Sequence, residues 1–140
     1  MESQSTRYGH VLRLDRGEEV VESLVAFARQ RGIRAGGLTG LGAADDIELG
    51  FYDPGTRAYT RRRFTGDHEI GALTGNLSLM GGEPFAHCHA VISGRDFVAY
   101  TGHLFRAVVS VTCEVQLVTD PGTLERTARP DLGYNPLAPR

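Results

Sequence analysis

The chain has 140 residues, 41% hydrophobic and 23% charged, proportions that suit one globular domain with a single core. A formal net charge of −2 lacks the basic excess that broad affinity for nucleic acid requires, although Arg61-Arg62-Arg63 forms a local basic run. Two cysteines, Cys88 and Cys113, are too few for a disulfide framework, nothing at the N-terminus reads as a signal peptide, and no apolar run approaches the ~20 residues of a membrane span; the expected setting is the cytoplasm, with both thiols reduced and no membrane partner.

Met1 to Arg7 is polar and without pattern. Tyr8 to Leu14 alternates as a first strand, with Tyr8, His10, Leu12 and Leu14 on one side and Val11 on the other. Asp15 and Glu18 have the spacing of a capping box, with Asp in place of Ser or Thr. A helix is predicted from about Gly17 to Arg31. Val20, Val21, Leu24, Phe27 and Ala28 form its apolar stripe, and Gly32 stands at its C-terminal cap.

The glycine-rich run from Ala35 to Gly42 follows a helix and leads into the strand-like Ile47 to Tyr52. A dinucleotide loop has the opposite order, strand before and helix after. These glycines therefore predict a strand that bends or closely approaches another backbone. Asp53-Pro54-Gly55-Thr56 is a turn. A short strand over Tyr59 to Thr65 carries the three arginines, a pattern that suits a solvated or edge strand. Asp67-His68 is read as a turn before a long strand from Glu69 to Met80, and Gly81-Gly82-Glu83-Pro84 reverses the chain.

Pro84 to Val91 contains His87-Cys88-His89. In a strand the two imidazoles share a face, ~7 Å apart along the backbone, and Cys88 points the other way as a buried filler. Ser93-Gly94-Arg95-Asp96 reads as a hairpin turn leading through Val98-Ala99-Tyr100 to His103. With a three-residue loop, Gly94-Arg95-Asp96, Ser93 pairs with Phe97 and His87 stands opposite His103. A loop one residue longer or shorter would send His103 to the other face. Three neutral imidazoles meeting at one point suit zinc or another divalent transition metal, with room for water or substrate. His10 and His68 lack such company.

A turn is expected near Phe105-Arg106-Ala107. Val108 to Leu117 then alternates as a half-buried strand, with odd positions apolar. From residue 120 to 140 the pattern is lost among prolines, which predicts an extension that wraps the surface or stays mobile. One helix and about seven or eight strands joined by tight turns give an α+β fold: a strongly curved, mainly antiparallel sheet with the principal helix packed on it.

The order strand, helix, glycine-rich strand, then Leu73-Thr74-Gly75-Asn76-Leu77-Ser78, Pro84-Phe85-Ala86-His87-Cys88-His89 and Gly102-His103-Leu104 resembles the PPC domain, "plants and prokaryotes conserved". The resemblance covers about residues 7–119. It implies a homotrimer with a metal, usually taken as zinc, at the family histidines that match His87, His89 and His103. Plant members carry an AT-hook, and prokaryotic members are often labelled DNA-binding by that association. This chain has no Arg-Gly-Arg-Pro hook, and Asp67-His68-Glu69-Ile70 keeps only Glu-Ile of the plant Gly-Arg-Phe-Glu-Ile run. The fold is also similar to that of acetolactate decarboxylase, a zinc enzyme with an H-x-H and a later histidine.

Three functions are compatible with these residues. A small metalloenzyme or small-ligand binder would use the open metal position. It would draw an acid or base from Glu69, Glu83 or Glu114, an anion contact from Arg106 and ligand orientation from Asn76. A metal-stabilised trimeric module would use the same triad for structure alone. A regulatory DNA-binding protein would show a steep salt dependence of affinity.

Overall fold

The computed structural model describes residues 1–139. The chain runs β1 (Glu2–Thr6), β2 (Gly9–Asp15), α1 (Val20–Arg31), β3 (Gly36–Asp53), β4 (Ala58–Met80), β5 (Glu83–Ser93), β6 (Ala99–Thr119) and β7 (Glu125–Arg126). The strands form one sheet in the order β1-β2-β6-β3-β4-β5, with β7 lying parallel along β4. The other pairings are antiparallel. Residues 89–93 of β5 also pair with residues 99–103 of β6, so the sheet curls back toward itself without closing into a barrel. The expected α+β architecture of a curved, mainly antiparallel sheet with one helix is the one observed. Among the described residues no helix is long and apolar enough to cross a membrane.

α1 follows from its stripe. Val20, Leu24, Phe27 and Ala28 recur at helical spacing and are buried, packing chiefly on β5 and β6. The helix starts later than the Asp15/Glu18 spacing suggested. Glu18 does accept the Asp15 N–H at 2.7 Å, but this closes the turn before the helix, where Gly17 has a φ of 88°. The actual cap is Glu19, whose carboxylate accepts from the Glu22 N–H at 2.7 Å and from the Ala107 N–H at 2.8 Å. One side chain thus fixes both the helix start and its seat on β6. At the other end Gly32 is left-handed, and the Gly32 and Ile33 N–H groups donate to Arg29 and Ala28, the Schellman arrangement.

Four local expectations are corrected. The polar N-terminus forms β1, paired with β2 and exposed throughout; with no buried face, it had no alternation to detect. Asp67-His68 lies within β4, which is continuous because Gly66, at a φ of 82°, bends the strand without ending it. Phe105-Arg106-Ala107 is not a turn. β6 runs straight through, and the register against β3 shifts between Glu48↔Arg106 and Leu49↔Leu104, which makes Phe105 the extra residue of a β-bulge. A further irregularity past Val109 interrupts the expected alternation, so Ser110 is buried and Val111 is exposed, before Cys113, Val115 and Leu117 turn inward again as expected.

The remaining turns behave as their residues require. Met80 pairs with Glu83 across Gly81-Gly82, both at positive φ, the signature of a two-residue type I′ hairpin. The core lies between α1 and the concave sheet and includes Leu12, Leu24, Phe27, Ile47, Leu73 and Cys88.

Candidate metal centre

β5 presents His87 and His89 on its outer face and turns Cys88 into the core, where it is 0% exposed. The partner across β6 is not the one the three-residue loop implied. Ser93 pairs with Ala99, so His89, not His87, stands opposite His103. The loop is two residues longer than expected. It is held by the Phe97 N–H donating to Gly94 O at 3.0 Å and the Val98 N–H donating to Asp96 Oδ1 at 3.1 Å. Phe97 there adopts a φ of 58°. Two extra residues preserve the parity of a strand, so the face assignment survives although the register does not.

The three histidines converge. One nitrogen from each can be chosen such that all lie within 4.8 Å of one another. Ring centroids are 5.3 Å apart for His87–His89, 4.9 Å for His87–His103 and 5.6 Å for His89–His103. Aromatic side chains set the wall behind His103: Phe105 at 4.6 Å and Tyr59 at 5.2 Å between centroids. Glycines let the strands approach this closely. A Cβ on Gly75 would lie 2.3 Å from His87 O, and one on Gly102 would lie 2.7 Å from Gly50 O.

Burial and neighbouring cations favour the neutral imidazole at His87 and His103. Burial, followed by His87, His89, Arg126 and Arg61, pushes His103 down to about 4. Burial, then Arg126 and His89, lowers His87. His103 Nδ1 is buried without a hydrogen-bond partner, a costly state for a polar atom. An orphaned ring nitrogen among three converging imidazoles fits a transition-metal ligand.

The other candidates lie elsewhere. Glu69 is exposed and pairs with Ala43 and Ser93, away from the triad. Glu83 forms an exposed salt bridge with Arg29 at 3.0 Å. Glu114 is exposed and sits between Arg13 and Leu41, far along β6 beyond its irregularities. Arg106 donates to Asp46 at 3.0 Å. His10 packs edge-on to Phe27 at 5.0 Å, and His68 is bonded to Gly66 O at 2.7 Å. Asn76 alone is brought to the site: it stands directly across from His87, and its Oδ1 accepts from Arg126 at 2.8 Å.

Arg126 also belongs to the site. It reaches the site from the C-terminal segment, stacks over Phe85 at 5.0 Å, and donates to Ser78 Oγ at 3.0 Å and Asn135 O at 2.9 Å. Nothing in its local sequence distinguishes it. Tyr59 and Phe105 were equally silent. Arg61, the first of the basic run, lies over the Phe105 ring at 3.7 Å and bridges to Glu48 at 3.0 Å. Arg62 covers Phe64 and Tyr100, and Arg63 bonds Asp46 at 2.6 Å.

Comparison with known proteins follows the same lines. The family model described as "Plants and Prokaryotes Conserved (PCC) domain" matches residues 1–120. A solved protein from Bacteroides thetaiotaomicron, described as a "putative dna binding protein", is 31% identical with a TM-score of 0.94, covering 98% of this chain and 96% of its own. A "metal-containing protein" from Archaeoglobus fulgidus is 29% identical with a TM-score of 0.86, over 99% and 100%. A Staphylococcus aureus protein of unknown function, described as similar to alpha-acetolactate decarboxylase, shares the fold at 14% identity and a TM-score of 0.59, over 86% and 56%. Among curated proteins, no sequence matches. With the family model spanning residues 1–120 and these folds superposing, the chain belongs to the Plants and Prokaryotes Conserved domain family.

Proposed function

We propose that this protein binds a divalent transition metal, zinc in the first instance, through His87, His89 and His103, and uses the open coordination position to hold a small molecule. The observation that carries the reading is the convergence of three imidazoles within 4.8 Å around the unpartnered, buried Nδ1 of His103. Zinc held by three protein nitrogens keeps a fourth position and acts there as a Lewis acid. Glu69, Glu83 and Glu114 stand away from the triad, which favours ligand binding over acid–base hydrolysis. The Archaeoglobus relative's description as metal-containing agrees with the reading.

The proposal includes a cytoplasmic homotrimer. Val11, Leu41 and Val118 are 41%, 58% and 59% exposed and lie along the outer face of β2, β6 and β3, where Val11 stands beside Gln116 and Leu41 beside Glu114. An uncovered apolar stripe of this kind suits a subunit interface, and sedimentation analysis tests it. The DNA-binding reading suggested by the Bacteroides protein's name is weaker here. The net charge is −2, and Arg61 and Arg63 are already paired with Glu48 and Asp46.

Metal analysis of untagged protein tests the central claim. Wild type is expected to hold about one metal per chain and the His87→Ala/His89→Ala variant far less. Wild type that stays metal-free when supplied with zinc or cobalt refutes it.

A further inference from the structure

The surroundings of the triad carry an unbalanced positive charge. Among the described residues, the charged groups that act on His103 and His87 are cations or other imidazoles: Arg126 on both, and Arg61 on His103. Arg61 already has Glu48. Among the described residues Arg126 has no carboxylate partner. Its three protein acceptors are the Ser78 hydroxyl, the Asn76 amide oxygen and the Asn135 carbonyl, all neutral. It is half-buried and makes no salt bridge among the described residues. A desolvated guanidinium without a counter-charge is expensive unless something supplies one.

The protein contacts hold this guanidinium still but do not exhaust it. A guanidinium has five N–H donors. Nε spends its single one on Ser78, Nη1 spends one on Asn135 and Nη2 one on Asn76, so each Nη retains one. The anchoring also places it. Asn76 faces His87 across the β4–β5 pairing, and Phe85, which lies under Arg126 at 5.0 Å, is two residues before His87 on the same face of β5. The guanidinium that carries the two free donors is therefore held beside the triad before any ligand arrives.

We infer that the triad's small ligand is a carboxylate, and that Arg126 is the residue that receives it. A planar carboxylate matches the Nη donors and neutralises a half-buried charge that no carboxylate among the described residues compensates. A neutral ligand would leave that charge buried and unmatched. Asn76 and Ser78 act on the ligand only through Arg126 and are positioning residues. This inference rests on the metal-site reading above.

The test uses cobalt(II)-loaded protein, whose visible spectrum reports the ligand set of the metal, with metal content measured on every sample. Acetate is titrated at fixed ionic strength, with acetamide as the neutral isostere. Wild type is expected to show a saturable acetate-dependent spectral change, with acetamide at least tenfold weaker. Arg126→Gln, at unchanged cobalt content, is expected to bind acetate at least tenfold more weakly. Arg126→Lys keeps the charge but loses the planar fork and its three-way anchoring, and is expected to bind acetate more weakly than wild type, by less than tenfold. A purely structural role for Arg126 predicts instead that Lys and Gln fail alike.

Equal acetate affinity in wild type and Arg126→Gln overturns the inference, as does acetamide binding as well as acetate. If Arg126→Gln does not fold, a folded Arg126→Lys protein that has lost acetate binding tenfold or more overturns it too. Failure of wild type to take up cobalt or zinc removes the metal reading and this inference with it, and the metal assay shows which of the two has failed.

Discussion

Gly50 stands opposite His103 in the β3–β6 pairing, and replacing it with alanine tests whether packing around the triad sets its geometry. A Cβ at this position would lie 2.4 Å from Cε2 of Phe105 and 2.9 Å from Cδ1 of Tyr59, whereas ordinary contact begins near 3.4 Å. Phe105 must give way by about 1 Å and Tyr59 by about 0.5 Å. Neither is free to do so independently. Phe105 is covered by Arg61 at 3.7 Å, the two rings meet edge to face at 5.1 Å, and both contact His103. Overpacking of this kind costs about 1–3 kcal/mol, or roughly 3–10 °C in Tm for a domain of this size. Displacing a residue that orients a metal ligand costs about 10–100-fold in metal affinity. The Gly50→Ala protein should therefore unfold earlier in urea and bind zinc at least tenfold more weakly in competition with a chromophoric chelator. Gly37 on the same strand is the control, since a Cβ there meets nothing within 4 Å and Gly37→Ala should not destabilise, with a gain of up to about 1 kcal/mol. A Gly50→Ala protein with wild-type stability and wild-type zinc affinity would refute the argument that these rings hold His103 in place.

Three further outcomes are expected. In metal-free protein His103 has a folded pKa lowered to about 4 from 6.5, so the unfolded chain takes up the proton first. Stability is unaffected above pH 6.5, falls as pH drops toward 4 and levels below it; the loss, discounted for partial exposure, is about 1–2 kcal/mol, and urea midpoints that do not move between pH 7 and 4.5 would count against it. Cys88→Ala should leave zinc affinity within about twofold of wild type, because the thiol is in the core and not on the histidine face; a tenfold loss would mean that Cys88 is a ligand. Phe27→Ala removes a side chain that is 2% exposed at the centre of the α1–sheet contact and should cost about 3–5 kcal/mol in chemical denaturation, with a smaller value showing that the helix settles into the gap.

The triad was legible because strand alternation is a local rule: His87 and His89 share a face whatever the rest of the chain does. His103 was placed on that face by a loop of the wrong length, and the result held because the error was an even number of residues. Glu114 shows the limit of the same reasoning. Its position relative to the triad depended on the β6 bulge at Phe105 and the irregularity beyond Val109, and a bulge is a property of two strands, so one strand's pattern does not reveal it. Arg126 was illegible for another reason. It is brought to Asn76 and Phe85 by a two-residue parallel pairing of the C-terminal segment with β4, a long-range contact with no periodic signal. β1 escaped notice because a fully exposed strand has no hydrophobic face.

The alternation of β5 also sorts the donors by softness. A sulfur atom sits between His87 and His89 in the chain, yet it faces the opposite side of the sheet and is 0% exposed, so the outer face offers nitrogen alone. Thiophilic ions such as copper(I) or cadmium therefore gain no thiolate here, and the borderline divalent ions keep the advantage. Burial holds the Cys88 thiol protonated, pushed up to about 12, which deprives peroxide of the thiolate it attacks. A redox-reactive group is thus carried within one residue of two metal ligands without making the site itself sensitive to oxidation.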